Sequence, residues 1–195
     1  MSSHQDTILY KAIGIQGVGY AVYLFFTGTY LGAVASVIGG PSYLPGAGLL
    51  LAGLIVMFSG LVLFKSSEPR SKTAGSLFVL AGLAALIAGA VSAWPYMESA
   101  GTIATLSLGL FTALIAMANP TLGLVVLGKY GSNSIVKYST VLYILSPILL
   151  VYGVTGLSLA ALVASTMIYL ELKGLPEQAD TLNKAIGRVV KEISE

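Results

Sequence analysis

Between Lys11 and Lys65 lie 53 consecutive residues without a charge. A helix that crosses the hydrocarbon core of a bilayer needs only about 20 apolar residues, so this run holds two crossings and a turn. Uncharged runs follow over Thr73–Met97, Ser99–Gly128 and Tyr138–Leu170. The last, of 33 residues, would reach about 50 Å as one helix, well past a core of roughly 30 Å, and therefore folds back. Charged residues make up 9% of the chain against about 25% in soluble domains, which places it in the membrane class.

The pattern predicts an all-α integral membrane protein, a six-transmembrane-helix bundle over residues 1–172 with a C-terminal cytoplasmic amphipathic helix over 173–195. The expected helices are Lys11–Ile38, Ala47–Phe64, Thr73–Trp94, Gly101–Ala118 or beyond, Ile135–Tyr152 and Thr155–Leu172. Turn signals separate them: "GGPSYLPGAG" at 39–48, "KSSEPRSK" at 65–72 and "VYGVTG" at 151–156. With the N-terminus inside, all 10 Lys and Arg fall on the cytoplasmic side and the external connections carry only Glu98, the positive-inside pattern. The expected location is the cell membrane, multi-pass, with both termini cytoplasmic. Trp94, Tyr96 and Tyr43 are placed at the outer interface, and Phe64, Tyr138 and Tyr169 at the inner one. "AVA" at 33–35 has the form of a signal-peptidase site, but the apolar stretch before it exceeds a normal h-region of about 7–15 residues.

Absences exclude several chemistries. There is no cysteine, and the single histidine, His4, sits in the polar N-terminal stretch, so neither a thiolate nucleophile nor a bis-histidine haem or metal site is available. The uncharged runs hold no proton-relay carboxylate and no lysine for a Schiff base. Serines are plentiful, yet no base stands near them in the spans, and "GIQGVG" at 14–19 has the wrong order for a dinucleotide loop. The chain is read as non-enzymatic, with no cofactor and no nucleic-acid partner.

Two kinds of helix face remain. Gly46, Gly53 and Gly60 in the second helix, and Gly75, Gly82 and Gly89 in the third, each repeat every seven residues. Such a repeat keeps one seam toward a partner, and glycine lets backbones approach closely where lipid supplies no hydrophobic drive. These helices are expected to form an antiparallel hairpin. The first helix carries Gln16, Tyr20, Tyr23, Thr27 and Tyr30 within an arc of about 80°, with Gly28, Gly32 and Ser36 roughly opposite as a small-residue contact. Thr105, Thr112 and Asn119 repeat on the fourth, Ser139, Tyr143 and Ser146 align on the fifth, and Thr155, Ser158, Ser165, Thr166 and Tyr169 share a face of the sixth. Asn119-Pro120 and Ser146-Pro147 each free a backbone carbonyl one turn back, at Ala116 and Tyr143.

These polar stripes admit two readings. In the first, Gln16, Tyr20, Tyr23, Thr27, Tyr30, Thr112, Asn119, Tyr143 and Ser146 bond from helix to helix in a structural or accessory membrane subunit. Its partners are the lipid bilayer and a protein partner or second copy, met through helix faces or the tail 176–195. In the second, the same residues line a pocket between helices 1, 4, 5 and 6 for an uncharged lipid-like or small neutral ligand. In the tail, Leu182, Ile186, Val189, Val190 and Ile193 recur at helical spacing after Pro176, and its mixed charges make a poor polybasic lipid anchor.

Overall fold

The computed structural model describes the backbone of residues 2–35, 44–93 and 100–194, and the side chains of 6–31, 44–92, 101–149 and 153–174. Among these residues every regular element is helical: α1 (Ser2–Ala35), α2 (Leu44–Leu63), α3 (Pro69–Ala93), α4 (Ala100–Tyr130), α5 (Ser134–Leu145) continuing as a 3₁₀ segment (Ser146–Tyr152), and α6 (Gly153–Ser194). Five helices are long and apolar enough to cross a membrane, over Asp6–Leu31, Leu44–Leu63, Pro69–Ser92, Gly101–Tyr130 and Gly153–Gly174. Large apolar side chains point outward, Phe25, Leu106 and Ile148 among them at 71%, 68% and 64% exposure, a surface that suits lipid and not water. The chain is a helical membrane protein.

The fifth element departs from the expected single α-helix. Pro147 has no N–H to give the carbonyl of Tyr143, and the α-helix stops two residues earlier, at Leu145. Ser146 repairs the lesion: its hydroxyl donates to that carbonyl at 2.8 Å. The chain then tightens into the 3₁₀ segment and reverses at Gly153, whose φ of 77° favours glycine. The element is a shorter apolar helix than the five that are long enough to cross a membrane. Pro120 has the opposite outcome, because α4 runs through it without interruption to Tyr130.

Several other boundaries move outward, although α2 ends at Leu63, one residue short of the expected Phe64. α1 begins at Ser2, nine residues before the expected start, and Ile8 and Leu9 in that extension are buried. α6 stays helical through Gly174 to Ser194, so Pro176 lies within a continuing helix and does not begin a new one. The turn residues Tyr43, Trp94, Tyr96, Glu98 and Ser36 lie outside the described residues, as do the side chains of Gly32 and of the tail.

Each helix packs against its neighbours in sequence, and α1 packs against α6, which closes the six elements into a ring. The glycines set the spacing of one wall. A Cβ placed on Gly53 would sit 2.9 Å from the carbonyl oxygen of Gly82, one on Gly60 2.5 Å from that of Gly75, and one on Gly89 2.7 Å from that of Gly46. α2 and α3 thus meet backbone to backbone at three levels, one heptad apart, in antiparallel register. Gly28 contributes no such contact, for it has nothing within 4 Å. Where α4 meets α5, a Cβ on Gly123 would run into the side chain of Ile144. Phe78, Ile13, Ile115, Leu122, Leu157 and Ile168 fill much of the interior with no exposed surface.

Candidate functional site

α1 turns its polar face into the ring. Gln16 is completely buried, Tyr20 is 2% and Thr27 9% exposed, while Tyr23 and Tyr30 are half-buried. Across the interior stand Asn119 of α4, Tyr143 of α5 and Ser146 at the start of the 3₁₀ segment, all three without exposed surface. They form two connected bonds and a third across the ring. Asn119 donates from Nδ2 to Ser146 Oγ at 3.1 Å, Ser146 donates onward to the Tyr143 carbonyl, and the Tyr143 hydroxyl donates to Gln16 Oε1. One hydroxyl at position 146 therefore satisfies the carbonyl freed at the end of the fifth α-helix and ties that end to the fourth.

This network is incomplete. Gln16 Nε2, the Tyr20 hydroxyl and Asn119 Oδ1 are buried without a hydrogen-bond partner, although Tyr20 and Asn119 are neighbours. Below them along α5, the hydroxyls of Ser139 and Thr140 are buried and unpartnered as well. A polar group kept from water without a partner costs about 1–3 kcal/mol, so this region concentrates unused hydrogen-bonding capacity at the centre of an apolar bundle.

The remaining polar residues behave differently. Thr112 donates to the carbonyl of Gly109 and Thr105 to that of Gly101, both at 2.8 Å and both within α4, so that stripe joins the network only at Asn119. Ser165 of α6 likewise donates within its own helix, to Leu162 at 3.1 Å. Spacing places a side chain on a face but does not choose between an intrahelical carbonyl and a neighbouring helix.

A second polar cluster, absent from the sequence reading, closes the end of the ring that carries most of the basic residues. The Tyr130 hydroxyl at the end of α4 donates to Asp6 Oδ1 near the start of α1. Lys129 Nζ lies 3.2 Å from Glu68 Oε2 in the α2–α3 connection, and Asn133 Nδ2 donates to Glu171 Oε2 of α6 at 3.3 Å. Asn133 also caps α5, its Oδ1 accepting from the backbone N–H groups of Ile135 and Val136. Asp6 and Tyr130 stand 124 residues apart, so local spacing carries no signal of their meeting.

A cavity lies elsewhere than the nine polar residues. A groove of about 490 Å³ opens between α1, α2 and α6, lined by Gly14, Gly17, Val18, Ala21, Val62, Leu162, Thr166 and Tyr169, with Lys11 at its border. Its α1 wall is the face opposite Gln16 and Tyr20: Lys11, Gly14, Val18 and Ala21 follow at intervals of three, four and three residues. α6 closes against that wall, since a Cβ on Gly14 would come within 2.7 Å of the Tyr169 ring and one on Gly17 within 2.8 Å of Ser165 Oγ. Tyr169 stacks edge-on to Tyr10 at 5.8 Å between centroids, and Lys173 Nζ lies 5.9 Å from the centre of the same ring. The residues i+3 and i+4 apart that form this face were visible in the sequence. Their juxtaposition with α2 and α6 was not. Among the described residues, no group of three or more His, Cys, Asp or Glu side chains is arranged to hold a metal ion. No known family model, curated protein or solved structure matches this chain.

Proposed function

We propose that this chain is a non-catalytic multi-pass membrane protein, a structural or accessory subunit of the cell membrane with both termini in the cytoplasm. The observation that carries the reading is the pair of contacts Tyr143–Gln16 and Asn119–Ser146, in which fully buried polar side chains spend bonds on one another across helices. Contacts of this kind contribute about 0.6 kcal/mol each in a bilayer, so their main effect is to fix which helices face one another. The protein partner or second copy of the chain would be met through the outward helix faces or the tail 176–195. Purification in mild detergent tests it: the subunit reading expects a self-associated species or a stoichiometric partner. A monomer that retains no other protein overturns it.

A second reading has its own support. Gln16 Nε2, the Tyr20 hydroxyl and Asn119 Oδ1 together offer donors and an acceptor in one buried region, the set that a small neutral ligand with a hydroxyl or carbonyl would satisfy. On that reading the ligand sits between helices 1, 4, 5 and 6, and removal of the Tyr20 hydroxyl weakens its binding.

A further inference from the structure

The groove between α1, α2 and α6 combines three properties that the polar network does not account for. Its walls are almost entirely carbon, and its volume of about 490 Å³ falls in the range of about 300–1,000 Å³ typical of ligand sites. It opens sideways on a protein whose neighbouring surface is apolar, with Val18, on its wall, 56% exposed. Its cationic border is one-sided. Lys11 belongs to the lining, Lys173 sits over the Tyr169 ring, and Lys65 follows Val62 just past the end of α2; all three are exposed. Among the described residues none of the three has a carboxylate partner: Asp6 is engaged by Tyr130, Glu171 by Asn133, and Glu68 by Lys129.

An apolar slot that ends in unpaired ammonium groups at one level of a membrane helix bundle matches an amphiphile with a long tail and an anionic head. We infer that the groove holds one acyl chain of an anionic phospholipid from the leaflet on the side of the basic loops. The chain lies along Val18 and Ala21, beyond the point where Tyr169 closes on Gly14. The phosphate is met by Lys11 and Lys173, and Lys65 adds to the positive field. This inference rests on the membrane reading of the fold and is independent of whether the protein is a subunit or binds a ligand at Gln16.

Native mass spectrometry of the detergent-purified full chain, titrated with dioleoyl phosphatidylglycerol or with dioleoyl phosphatidylcholine, tests the assignment. The two lipids share tails and differ in head charge. Retention of phosphatidylglycerol in preference to phosphatidylcholine is expected, and Lys11→Gln and Lys173→Gln should each lower its affinity about fivefold, the effect of one basic residue near an anionic headgroup. Val18→Trp fills the groove from an exposed position and should lower retention of both lipids, with the thermal unfolding midpoint of each variant recorded to establish that it is folded. Equal retention of the two lipids overturns the proposal, as does phosphatidylglycerol binding that survives both lysine substitutions in folded protein. A folded Val18→Trp variant that still retains phosphatidylglycerol as well as the parent also overturns it, since the chain would then lie elsewhere.

Discussion

Tyr20 and Tyr143 are both buried tyrosines in the same polar region, yet one hydroxyl is bonded and the other is not. Their phenylalanine variants should therefore separate. Tyr143→Phe leaves Gln16 with no partner and is expected to destabilise the folded chain by about 0.6 kcal/mol, and by no more than roughly 1.7 kcal/mol, in detergent unfolding. Tyr20→Phe removes an oxygen that stands beside Asn119 but makes no hydrogen bond of proper geometry among the described residues, and should be neutral or stabilising. A loss of stability from Tyr20→Phe as large as that from Tyr143→Phe would contradict the assignment and point to an occupied site between Gln16 and Asn119. The polar face of α1 was legible from five residues at helical spacing. What lay beyond reading was the identity of their partners, because Gln16 meets a residue 127 positions away and only the closed ring brings the two together.

At the scale of elements, glycine spacing predicts more than proline does. Three glycines one heptad apart on each of α2 and α3 announce a close seam, and a methyl group at Gly53 meets the Gly82 carbonyl oxygen at 2.9 Å and the Ala85 Cβ at 3.0 Å. Gly53→Ala is expected to cost about 1–3 kcal/mol as an overpacked core substitution, read as a lowered unfolding midpoint in detergent. Gly28→Ala is the matched control: with open space around it, the change should be neutral or stabilise α1 by up to about 1 kcal/mol through helix propensity. Proline gives no such certainty. Pro120 and Pro147 remove the same backbone donor, but α4 continues while α5 ends, and seven 3₁₀ residues take its place. Nothing in the dipeptides Asn-Pro and Ser-Pro states that difference.

For the molecule as a whole, the distribution of Lys and Arg makes a statement about orientation that the helical fold by itself does not. Thr102 and Ser132 are exposed at opposite ends of α4, and the chain has no cysteine of its own. In sealed right-side-out cells, a membrane-impermeant maleimide should label Thr102→Cys and leave Ser132→Cys untouched until the membrane is permeabilised. The reverse pattern would reject the N-inside orientation. Of the six crossings expected from charge-free runs, five appear as helices long and apolar enough for a bilayer, while the start of the run after Lys137 forms a shorter helix and a 3₁₀ segment. The groove was not readable in this way, because α1 and α2 must assemble with α6, some hundred residues further along, before it exists.

That assembly has an order in time. α1 emerges before α5 and α6, so its seam with α6 and its bond to Tyr143 wait until those helices have been made. At about 5–20 residues per second, the 127 residues between Gln16 and Tyr143 take roughly 6–25 s to make. Through that interval a glutamine, Tyr20 and Thr27 are held in or beside the bilayer without their final surroundings. The insertion machinery must shelter α1, or tolerate its polar face, until α5 and α6 arrive.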